Sequence, residues 1–99
     1  MRILTQVSAE EIRRYVRNQI IEPARRRGER IIVIRAGDVH DWMRFKNRQP
    51  LVCDVLRSKI FQRQCNVELI EERWGRRVHQ PHARNIWFVY RILYDEGET

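Results

Sequence analysis

The chain reads as an α+β domain. A capped amphipathic helix opens it, two more helical patterns follow a short β-branched run, and after Asn66 the hydrophobic period changes from helical to alternating. Ninety-nine residues suit one core, expected over about residues 8–94, with a short acidic tail at 95–99. At 42% hydrophobic and 33% charged, the composition supports a packed interior and argues against wholesale disorder.

The first helix has the clearest signal. In Val7-Ser8-Ala9-Glu10-Glu11-Ile12, Ser8 and Glu11 have capping-box spacing, and Val7 and Ile12 occupy the positions of a hydrophobic staple. Ile12, Tyr15, Val16, Ile20 and Ala24 form the apolar stripe; Pro23 should kink or end the helix, and Gly28 should stop it. Arg30–Arg35 reads as a buried strand. Asp38 is expected to cap a second helix, Asp38–Phe45, with Val39, Trp42 and Met43 inward. A polar turn follows, and Pro50 suits the first turn of a third helix that runs to Gln62. Its expected inward stripe is Val52, Val55, Leu56 and Ile60, with Pro50, Asp54, Arg57 and Phe61 facing out. Val67–Trp74 is a half-exposed strand. Asn85–Tyr94 is a longer one, with Ile86, Phe88, Tyr90 and Ile92 on one face. Gly75–Arg84 is the loop between them, with Gly75 and Pro81 as its breakers.

Several function classes find no support in the sequence. No apolar run approaches the roughly 18 residues of a membrane span. Met1–Gln6 reads as too short and polar for a signal peptide, and two cysteines make no secreted scaffold, so a soluble cytoplasmic protein is expected. Eleven residues separate Cys53 from Cys65 and two separate His79 from His82, which misses zinc-finger spacing at both ends. Cys53 is expected in the core beside Val52 and Leu56. There is no glycine-rich phosphate loop, G-x-S-x-G elbow or H-E-x-x-H pair. His40 and Asp41 are adjacent on a helix and point apart, and strand alternation splits Glu71 from Glu68 and Glu72. Neither an enzyme nor a metal or cofactor site is expected.

Charge carries the functional signal. Lys+Arg is 20 against 13 for Asp+Glu, giving +7, and 18 of the basic residues are Arg. Arg matches phosphate and guanine edges with a planar fork; base composition or growth at high temperature explains the same bias. Arg25–Arg30 carries +3, and Arg73–Arg84 carries +4 with no acid. Arg25, Arg26 and Arg27 suit a helix C-terminus as well as a phosphate. Trp74 and Trp87 flank the basic loop, either as strand packing or as surfaces for a base or sugar.

The order helix, strand, helix, turn, helix, strand, basic loop, strand resembles the winged helix-turn-helix family over residues 8 to about 94. The resemblance implies that Asp38–Phe45 supports Pro50–Gln62 as a major-groove recognition helix, and that Gly75–Arg84 is a wing tip. Asp54 departs from this pattern, since an acid on the recognition face repels phosphate. Ala36–His40 and Lys46–Cys53 also resemble a segment of small uncharacterised archaeal proteins, which implies an archaeal, intracellular origin. The expectation is a double-stranded DNA-binding protein, nucleoid-associated, acting as a transcriptional regulator or accessory factor. Arg48, Gln49 and Arg57 would face the major groove, and Lys46 and Asn47 the phosphates. Arg76, Arg77 and Arg84, with His79 in the same loop, would grip the backbone or minor groove. The rival expectations are an RNA-binding winged helix and a protein-interaction module that uses the basic loop. A homodimer would form through the first helix or the open sheet edge.

Overall fold

The computed structural model describes residues 8–94. The chain forms α1 (Ala9–Val16), a π-helical turn (Arg17–Ile21), α2 (Glu22–Arg26), β1 (Ile31–Arg35), α3 (Ala36–Trp42), α4 (Gln49–Arg57), α5 (Lys59–Cys65), β2 (Val67–Trp74) and β3 (Ile86–Ile92). The strands make an antiparallel sheet in the order β1-β3-β2. The α+β class is as the sequence indicated.

β3 is the central strand, and the expected face of Ile86, Phe88, Tyr90 and Ile92 is buried against the helices. Ile12, Val16, Val52, Leu56 and Phe61 meet it from the helical side. The Tyr90 hydroxyl donates to the Leu56 carbonyl, so the one polar atom of a fully buried ring is satisfied. β1 is not buried on both faces. It alternates, leaving Ile31 47% and Val33 56% exposed on an edge strand.

The capping box closes as expected, with the Ser8 hydroxyl accepting from Glu11 N–H and the Glu11 carboxylate from Ser8 N–H. The staple residue Val7 lies outside the described residues. Pro23 does not end the helix, which runs on to Arg26. The chain widens just before Pro23, and Glu22 N–H reaches back five residues to the Arg17 carbonyl. That extra residue rotates the stripe, so Ile21 follows Ile12 and Val16 into the core while Ile20 sits at its margin. Gly28, at φ +76, ends α2 as a Schellman turn, with Gly28 N–H on Arg25 O and Glu29 N–H on Ala24 O.

Three local features depart from the sequence reading. α3 starts at Ala36, so Asp38 sits inside the first turn and pairs with Arg35 rather than capping. Its inner face is Ala36, Gly37, Val39 and His40, whereas Trp42 is 53% exposed. The third helix is really two. Ser58 breaks α4 with extended backbone, and its hydroxyl then accepts from Phe61 N–H to cap α5. The restart reverses two assignments: Phe61 is buried and Ile60 is exposed. Finally, a bulge between Leu69 and Glu71 shifts β2 against β3. Glu68 and Glu71 therefore share the outer face opposite Arg91 and Val89, and Glu72 turns toward Phe88.

Candidate nucleic-acid interface

The β2–β3 loop has a free tip and a tethered return. Gly75 N–H donates to Asn85 O at 2.8 Å, and a Cβ at position 75 would lie 3.0 Å from the Asn85 Cβ, so a side chain there would push the strand ends apart. Beyond it, Arg76, Arg77 and His79 are exposed. The return half then lies along α4 and α3. Arg57 Nη2 donates to Pro81 O at 3.0 Å, His82 Nε2 sits 3.0 Å from Asp54 Oδ1, and Cys53 Sγ is 3.5 Å from Ala83 O. Arg84 forks onto Asp41 at 2.8 and 2.6 Å, and its carbonyl accepts from Gly37 N–H at 3.0 Å. The tight approach at Gly37 requires the missing side chain, because a Cβ there would meet Arg84 Cβ at 3.0 Å.

This return lies against part of the α4 face from which the sequence expected base contacts, while Asp54 on it stays 63% exposed. Arg57 holds Glu72 through two hydrogen bonds of 3.1 and 3.0 Å and lies 5.4 Å over the Phe88 ring. The pair raises the Arg57 pKa and holds the Glu72 carboxyl below the usual range. Arg84 likewise holds Asp41 below the usual carboxylate range. The Gln49 amide nitrogen and oxygen are both out of solvent, without a hydrogen-bond partner among the described residues. Arg57 and Arg84 are thus engaged by carboxylates in this arrangement, and Asp54, the departure from the family pattern, is engaged by His82.

The turn from α3 to α4 is better presented. Arg44 takes the left-handed position at φ 58 that a glycine usually fills, with its N–H on Asp41 O and Phe45 N–H on His40 O. The Phe45 ring packs edge-on to His40 at 5.8 Å, the apolar contact that accompanies such a stop. Asn47 is also left-handed at φ 58. His40 is buried, and its Nε2 accepts Arg48 N–H at 3.0 Å, pinning the turn to α3. Burial, then the nearby Arg84, lowers the His40 pKa. Arg44, Lys46, Asn47 and Arg48 are left exposed. The sequence reading places Arg44 inside the second helix; the structure ends that helix at Trp42 and so brings Arg44 into the turn.

Ion pairing sorts the remaining charge. Among the described residues, Glu11 closes the capping box, and each other carboxylate has a basic partner within 4.0 Å. Among the described residues, the cations left without a carboxylate are Arg44, Lys46 and Arg48 in the turn, Arg76 and Arg77 in the loop, and Arg17, Arg26, Arg30, Lys59 and Arg63 elsewhere. Both thiols are buried and pushed up by burial, Cys65 to about 11. Among the described residues, no group of three His, Cys, Asp or Glu side chains is placed to hold a metal ion, and no helix is long and apolar enough to cross a membrane. No family model matches the chain, and neither the curated proteins nor the solved structures yield a match.

Proposed function

We propose that the protein is a winged-helix binder of double-stranded DNA that works mainly through the phosphate backbone, as an accessory DNA-binding factor or regulator. The observation that carries this reading is the sorting of charge among the described residues: the carboxylates are consumed by internal pairs, and five of the ten cations left without a carboxylate, Arg44, Lys46, Arg48, Arg76 and Arg77, lie on two exposed segments. The order of elements and the β1-β3-β2 sheet support the family comparison. Arg44, Lys46, Arg48, Arg76 and Arg77 are the phosphate contacts, and the tethered face of α4 supplies little direct base readout. Weak sequence preference follows, because phosphate contacts fix position without reading bases.

The test is fluorescence anisotropy with labelled duplex DNA, single-stranded DNA and hairpin RNA across a salt series. Five phosphate contacts give a log–log salt slope of about −4.5 on the duplex. Replacing Arg76 and Arg77 with Ala should weaken binding to all duplex sequences alike and flatten the slope by about 1.8. Binding that is insensitive to salt, or tighter to hairpin RNA than to the duplex, overturns the reading.

A further inference from the structure

The outer face of the sheet carries chemistry that the proposed DNA contacts do not use. Ile31 and Val33 project from the edge strand β1 at 47% and 56% exposure, beside Val89 and Trp87 on β3. Together with Trp74 they line a shallow groove of about 540 Å³. The Arg30 carbonyl accepts from Ile92 N–H at 2.8 Å, which fixes the hydrogen-bond alternation along β1. Ile32 and Ile34 bond to β3, and the N–H and C=O groups of Ile31 and Val33 point to the open edge. Among the described residues nothing meets them. Between Arg30 and Arg35, the run Ile31–Ile34 carries no charge, no proline and no bulge.

We infer that β1 is the seam of a homodimer, pairing antiparallel with β1 of a second copy about a two-fold axis at Val33. The occupant follows from charge. Every cation on the outer face is matched by an acid nearby: Arg91 by Glu68 at 3.2 Å, Arg73 by Glu71 at 2.7 Å and Arg35 by Asp38 at 2.6 Å. In a chain of net +7 this face is neutral, so it offers little to a polyanion and minimal repulsion to another copy of itself. The strand is also self-complementary. Val33 meets Val33, Ile31 lies under the aliphatic stem of Arg35, and the unpaired Arg30 falls opposite the small Ala36. About four backbone hydrogen bonds form, two between the Val33 residues and one from each Arg35 N–H to Ile31 O. The two grooves join into one apolar strip across a six-stranded sheet. The seam is shorter than a standard interface, so dissociation belongs in the range of about 10–100 µM.

Sedimentation equilibrium of the full chain from 10 µM to 1 mM (roughly the span around that range) tests this without nucleic acid. The mass should rise from 12.2 kDa toward twice that value. Val33→Lys, at an exposed position that does not disturb the core, should weaken dimerisation at least about tenfold while leaving the circular dichroism unchanged. Ile70→Lys, at the bulge on the opposite edge strand, should leave dimerisation as it was. A monomer at every concentration overturns the inference, including the case in which residues 1–7 cover the edge. So does a dimer that ignores Val33→Lys, or one lost equally in both variants.

Discussion

His40 and Arg44 show how much the α3–α4 turn asks of single residues. His40 Nε2 is an acceptor for Arg48 N–H, so the folded state needs the neutral ring with its proton on Nδ1. Burial lowers its pKa below the usual 6.5, so the unfolded chain binds the extra proton first. Stability should therefore be fully present above about pH 6.5 and decline as pH falls through and below that value. Urea midpoints at pH 7.5 and 5.0 (above and below the usual His pKa) should show the drop, and His40→Gln should shrink it; an unchanged drop assigns it to other groups. Arg44 holds a left-handed backbone that costs a side-chain-bearing residue roughly 1 kcal/mol. Arg44→Gly should raise stability by about 0.5–1 kcal/mol, while the lost phosphate contact reduces the DNA salt slope by about 0.9. The two readouts move in opposite senses, which separates the residue's backbone role from its charge. Sequence alone made Lys46, Arg48, Arg76 and Arg77 legible as exposed cations. It did not make legible which arginines are spent internally, because Arg57 and Arg84 find Glu72 and Asp41 only through long-range folding.

At the scale of elements, α4 and the loop return behave as one unit. Arg57 is the clasp, holding β2 through Glu72, the loop through Pro81 O and the sheet through Phe88. Arg57→Ala should cost about 2 kcal/mol, the range for hydrogen bonds to a charged group that is largely removed from water. Hydrogen exchange should also accelerate at Gly37 N–H, whose acceptor Arg84 O is on the tethered loop. A base-reading arginine would behave differently, changing DNA preference with stability intact. The elements themselves were readable because their periodicities are strong: β2 has the bounds the alternation suggested, and α1 the expected cap. Three of the departures share a cause, a one-residue change of phase. The π turn before Pro23, the break at Ser58 and the bulge at Ile70 each add or reset one residue, so everything after them rotates. Ile21, Phe61 and Glu71 changed face for that reason. A projection with a fixed angle per residue has no means of registering such a step, whereas core packing selects it by the side chain that best fills the space.

For the whole molecule, the question is whether folding gathers the positive charge or merely carries it. The unfolded chain has the same net +7, so a polyanion that binds charge alone meets both states and shifts their equilibrium little. Folding changes the distribution. Among the described residues it engages nine arginines in carboxylate pairs and leaves the turn and the loop tip with five of the ten unpaired cations. A ligand suited to that arrangement binds the native state preferentially. Duplex DNA at about 100 times its dissociation constant should then stabilise the protein by about 2.7 kcal/mol. For a domain of this size that corresponds to a rise in Tm of about 10–20 °C. A flexible polyanion such as polyphosphate at equal charge concentration should give a smaller rise, because it accommodates the unfolded chain as readily as the folded one. High salt should abolish both effects, since each depends on displaced counterions. Equal shifts with the two polyanions would mean that the fold adds nothing to the charge. The basic segments would then be a solvated surface and not an interface.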